Sequence, residues 1–177
     1  KVASDAKVST AAPLATTGTW LIDPQDFTIG SGATDNISGA TLSALLVTNS
    51  VTISTATGAD VIVAGTPPVT QLNTATNGNG DIHVNQAISW TATPSTTTLT
   101  LNATRDVNVN AAVSATNGNF VVCCGRDANV NAAITVTNGS VLLSAGNNVN
   151  LKAALKTTDG NMAICAANDV NVAAATT

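Results

Sequence analysis

Aspartate is the only acidic residue in this chain, ten among 177 positions, and half of those ten fall at one recurring place. Asp60, Asp81, Asp106, Asp127 and Asp169 each lead a short apolar–polar alternation, and Asn148 fills the place between the last two. Carboxylates repeated in this way suit two kinds of chemistry: a ladder of oxygen ligands for calcium, or a carboxyl pair flanking a glycosidic bond. A third use needs no ligand. Asp or Asn at a corner leading into a strand hydrogen-bonds nearby backbone. Arg105 and Arg126, each beside a column aspartate, would relieve repulsion within the column. Catalysis requires a carboxyl of shifted proton affinity among other groups in a cleft, and nothing at this spacing signals one. The structural use is favoured, with no catalytic residue, no cofactor and no metal expected.

The remaining reactive side chains are few. His83, the only histidine, lies on the outward phase of Ile82 and Val84 without recurring metal-ligand partners. Cys123, Ser144 and Cys165 share one place in the repeat, so the two cysteines stand two coils apart, roughly 9–10 Å, beyond disulfide reach. Both are expected to point outward as candidate intermolecular thiols, and Cys124 inward, with free thiols favoured over a strained Cys123–Cys124 bridge. Asn108, Asn129, Asn150 and Asn171 would form an outward amide ladder. Trp90 sits in a Thr/Pro-rich stretch and is the candidate contact loop; Trp20 would anchor the N-terminal strand. The threonine content raises ice binding, which needs a flat Thr-x-Thr column. Thr98 and Thr100 continue one repeat later as Asn119 and Val121, so that ladder fails.

What positions these residues is internal repetition. Asp106-Val-Asn-Val-Asn-Ala-Ala-Val113 returns near-identically from Asp127, Asn148 and Asp169, each 21 residues after the last. Asp60-Val-Ile-Val63 and Asp81-Ile-His-Val84 fit the same frame, with four extra residues before Asp106. Inside each repeat the period is two, the strand period. Leu99 and Leu101 become Phe120 and Val122, then Val141 and Leu143, then Met162 and Ile164. Val107 and Val109 mark a second strand; Val113, Ile134 and Leu155 mark a third. Asn117-Gly118, Asn138-Gly139 and Asp159-Gly160 supply turns. An antiparallel meander gives no reason for like residues every 21 positions, whereas a solenoid stacks coil on coil, about 4.8 Å apart. The sequence therefore predicts an all-β, right-handed parallel β-helix in which Leu101, Val122, Leu143 and Ile164 share one interior stripe. Its parts are a linker or extension at 1–17, irregular coils at 18–59 with strands at Leu42–Val47 and Val51–Ile53, and regular coils at 60–177 with an inserted loop near 90–98.

Composition agrees. Aromatics make up 2% and charged residues 9%, the net charge is −4 and Glu is absent, which disfavours helical bundles and coiled coils. An acidic chain lacks the basic face that nucleic acid requires. Mean hydropathy of +0.26 is too high for a disordered acidic chain. No apolar run approaches the roughly 18 residues of a membrane span.

Gly18-Thr-Trp-Leu-Ile-Asp-Pro24, Phe27-Thr-Ile29 and Asn36-Ile-Ser-Gly39, followed by coils of the Leu99-Thr-Leu-Asn-Ala103 to Ala112 type, resemble the filamentous-haemagglutinin-like adhesins of Gram-negative bacteria. The resemblance runs from Gly18 to Thr177. It implies two-partner secretion through an outer-membrane pore, a secreted or cell-surface location, and attachment or biofilm roles toward a host-cell, polysaccharide or matrix receptor. The family's Asn-Pro-Asn secretion motifs are absent, which places this segment downstream of them. The rival expectation is a filament or sheath subunit that self-associates head to tail through open coil ends, and a polysaccharide-active enzyme is a distant third.

Overall fold

In the computed structural model, residues 19–22, 25–55, 61–63, 69–71 and 78–177 are described. The expected linker at 1–17 and the column position Asp60 lie outside them.

A first coil consists of β1 (Thr19–Ile22), β2 (Phe27–Ile29) and a helix, α1 (Gly39–Leu46). The second holds β3 (Ser50–Ser54), then the excursion bearing β4 (Val61–Val63) and β5 (Val69–Gln71), then β6 (Ile82–Val84) and β7 (Ile88–Thr91). After it come β8 (Thr97–Ala103), β9 (Val107–Val109), β10 (Val113–Thr116), β11 (Gly118–Cys124), β12 (Ala128–Val130) and β13 (Ile134–Thr137). The chain continues through β14 (Val141–Ala145), β15 (Val149–Leu151), β16 (Leu155–Thr158), β17 (Met162–Ala166) and β18 (Val170–Val172).

The coils that begin with β3, β8, β11 and β14 each give one strand to each of three sheets, while the first coil has α1 in place of a third strand. The first sheet runs β1-β3-β8-β11-β14-β17, the second β2-β6-β9-β12-β15-β18, and the third β7-β10-β13-β16. Every pairing in the three is parallel. This is a β-solenoid whose coils of about 21 residues stack for about four turns.

Register makes the columns. Ile53 lies over Leu101, Leu101 over Val122, Val122 over Leu143, and Leu143 over Ile164. Alternation turns these side chains inward, where Leu101, Val122 and Leu143 are at most 1% exposed. They meet Val109, Val130 and Leu151 of the second sheet and Val113, Ile134 and Leu155 of the third in one continuous core. No coil could bury three such stripes alone, so stability resides in the stack.

Two stretches depart from the sequence expectation. Of Leu42–Val47, expected as a strand, Leu42–Leu46 belong to α1 and Val47 is its C-cap. Ser38 caps this helix by accepting a hydrogen bond from the Thr41 N–H at 3.0 Å, and Leu42, Leu45 and Leu46 supply the helical i, i+3, i+4 buried face. The second departure is Val61–Val63, expected as the first regular coil. Here β4 pairs antiparallel with β5 in a separate hairpin. The strand stacked on β6 is instead β2, with Phe27 over Ile82. Thr55 closes the excursion at its base, donating through Oγ1 to the Gly80 carbonyl at 2.8 Å.

Candidate functional site

Because Phe27 lies over Ile82, Asp26 takes the column place assigned from sequence to Asp60. Its Oδ1 accepts the Gly80 and Asp81 N–H groups, both at 2.8 Å. The pattern then repeats down the corner. Asp81 Oδ1 accepts from Asp106 N, Asp106 from Asp127 N, Asp127 from Asn148 N, and Asn148 from Asp169 N, each at 3.1 Å. The arginines reach back one coil and also lie within ion-pair distance of the aspartate beside them, Arg105 Nε 3.8 Å from Asp106 and Arg126 Nε 3.6 Å from Asp127. Arg105 forks onto both carboxylate oxygens of Asp81, and Arg126 does the same to Asp106, with the Nε bond 2.7 Å long in each case. Asn147 and Asn168 repeat the contact with an amide, donating to Asp127 at 2.8 Å and Asn148 at 3.0 Å.

These carboxylates are committed to internal partners. Among the described residues no three His, Cys, Asp or Glu side chains converge as a metal ion would require. Burial opposes ionisation of Asp106, but the Arg126 fork and the Asp127 N–H outweigh it and hold the carboxyl below its ordinary value. A depressed acid contributes stability above its unfolded pKa, and that contribution is lost as pH falls through the folded one. Arg126→Gln is therefore expected to lower stability at pH 7, and only modestly, because solvent screens the exposed guanidinium. Urea unfolding at pH 7 and at a series of lower pH values checks this: the difference from wild type should shrink as the pH falls through the folded-state value of Asp106.

Amide ladders run along the second sheet. Asn129 donates to Asn108 at 3.0 Å, Asn150 to Asn129 at 2.9 Å, and Asn171 to Asn150 at 2.8 Å. His83 occupies the same column between Thr28 and Asn108 and is half-buried. A second ladder, Asn85–Asn110–Asn131, has bonds of 2.9 and 2.8 Å. The run of Asn at alternate positions was its signal in the sequence.

Trp90 requires a correction. It lies in β7 rather than in an exposed loop, is 4% exposed, and pairs in register with Ala115. Its indole Nε1–H donates to Thr97 Oγ1 at 3.1 Å, and the Thr97 hydroxyl donates to the Leu46 carbonyl at 2.5 Å. Ile88 and Trp90 share the inward phase, and the extra residues follow Thr91. The large ring is accommodated because Gly118 beside it has no side chain; a Cβ there would stand 2.5 Å from Nε1.

All three thiols are free. Cys123 and Cys165 face outward on either side of Ser144 in one column, while Cys124 is buried. Burial pushes the Cys124 thiol up to about 11. Since the thiolate is the reacting species, a thiol titration of the native chain near pH 8 should count Cys123 and Cys165 promptly. Cys124 should follow only after unfolding.

No family model, curated protein or solved structure matches the chain, so its function must be read from the three-sided stack and its surface columns.

Proposed function

We propose that this chain is a non-enzymatic structural and adhesive segment, a short stiff rod that holds surface columns at fixed spacing on the outside of a cell. The observation that carries the reading is the set of hydrogen-bonded ladders that tie coil to coil from Asp26 to Asp169 at the Asp corner and from Asn108 to Asn171 along the second sheet. Such ladders resist shear between coils and commit the polar groups to the fold rather than to a reaction. The resemblance of Gly18–Pro24 and the Leu99–Ala112 type of coil to haemagglutinin-like adhesins supports a secreted, cell-surface location. It also supports export through an outer-membrane pore and a host-cell, polysaccharide or matrix receptor. No helix among the described residues is long and apolar enough to cross a membrane.

Attachment tests this directly. Beads carrying the chain should adhere to epithelial cells or polysaccharide-coated glass above albumin-coated beads, and free chain should compete. Adhesion equal to albumin on every surface would overturn the reading.

A further inference from the structure

The third sheet differs from the other two in what it turns outward. Ser89, Ser114, Thr135 and Lys156 lie in one column, and Thr91, Thr116, Thr137 and Thr158 in the next. One strand-step before them stand Ala87, Ala112, Ala133 and Ala154, all exposed. Strand geometry sets their repeats at about 6.6 Å along each strand and about 4.8 Å between coils. The Ser-x-Thr and Thr-x-Thr pattern that breaks at Thr98 and Thr100 on the first sheet is kept on the third through three rows, with Lys156 replacing the first hydroxyl in the fourth.

Two further observations bear on what this face is for. The polar columns of the Asp corner and the second sheet consume themselves in ladders, whereas none of these seven hydroxyls bonds to another described residue. The face is also nearly neutral: Lys156 is the only charge in the three columns. It is bounded at one end by α1, where Ser43 Oγ accepts the Ser89 N–H at 2.9 Å.

We propose that this face binds ice. A hydroxyl both donates and accepts hydrogen bonds, as each water in a crystal does. The two repeats of the array lie close to the oxygen spacings on faces of hexagonal ice. The threonine and alanine methyls between the hydroxyls order adjacent water instead of competing for its hydrogen bonds. Other occupants fit less well. Trp90 points inward, so sugar rings find no aromatic platform, and a charged polymer finds almost no countercharge. The inference stands independently of the adhesive reading, since a rod without any receptor could carry this face.

The test is thermal hysteresis and crystal shape measured on the whole chain, with Thr116→Tyr and Thr137→Tyr as variants that interrupt the hydroxyl columns. Thr100→Tyr, on the outer side of the first sheet, is the control, and circular dichroism verifies that each folds. Faceted ice and a freezing–melting gap with wild type and Thr100→Tyr, lost in both third-sheet variants, is the expected result. Round crystals without a gap for folded wild type would overturn the proposal. So would a gap that survives Thr116→Tyr and Thr137→Tyr, or one that disappears equally in Thr100→Tyr.

Discussion

Phe120→Ala is expected to lower the unfolding free energy by about 3–5 kcal/mol, a large part of the ~5–15 kcal/mol typical of a folded domain. Phe120 is fully buried in a second interior stripe of the first sheet, below Leu99 and above Val141. In a parallel stack the residues above and below it are held by their own strand ladders, so they cannot slide together to fill the void. The cavity term therefore adds nearly in full to the lost transfer free energy. Val121→Ala, one residue along on the half-buried outer side of β11, should cost under about 1 kcal/mol. Urea unfolding followed by circular dichroism measures both, and similar midpoints for the two variants would contradict the inward–outward assignment of β11.

Gly139→Ala should be nearly as damaging, at about 3 kcal/mol, the upper end of the usual cost of overpacking. The reason is a close approach of backbone to backbone. A Cβ at Gly139 would stand 2.1 Å from the Gly118 carbonyl oxygen of the preceding coil, and that oxygen cannot rotate away as a side chain would. Asn138, just before it, holds φ at 52°, a region Asn tolerates better than most residues. Asn138→Ala should consequently cost less, about 1 kcal/mol. A thermal melt of Gly139→Ala within a degree or two of wild type would show that the coils are not packed as closely at this corner as described.

The solenoid itself was legible because its columns repeat residue type as well as pattern. Leu101, Val122, Leu143 and Ile164 recur at one spacing together with Asn108, Asn129, Asn150 and Asn171, and only stacking gives both series a reason to keep step. Places where the chain leaves the frame were not legible. Asp60-Val-Ile-Val63 has the composition of a coil strand, and composition cannot distinguish a strand stacked in parallel from one folded back in the β4–β5 hairpin. The true column partner, Asp26, precedes Asp81 by 55 residues, a separation that no fixed period reveals. Leu42–Val47 reads as an apolar run of strand length, and its helical state is set by the Ser38 cap and by the packing of Leu42, Leu45 and Leu46. The Thr/Pro residues after Trp90 extend the loop composition back into β7, so the sequence does not mark where that strand ends.

The surface columns were half-legible for the same reason. The Asn ladders announce themselves through a single repeated residue type. The hydroxyl face does not, because Ser, Thr and Lys alternate down one of its columns and an insertion separates Thr91 from Thr116 by more than one regular step. Thr98 and Thr100 lie on the first sheet, a different side of the stack. Only the register of β7, β10, β13 and β16 aligns the hydroxyls.

Nitroxide labels on the native Cys123 and Cys165 test the stacking most directly, since Cys124 stays protonated and shielded. Two coils of separation place the labelled backbones about 9–10 Å apart. The continuous-wave spectrum should therefore show strong dipolar broadening that vanishes in Cys123→Ser and in Cys165→Ser. A doubly labelled spectrum equal to the sum of the two singly labelled ones would mean that residues 42 positions apart are not neighbours but one, and the coil-on-coil account would fall.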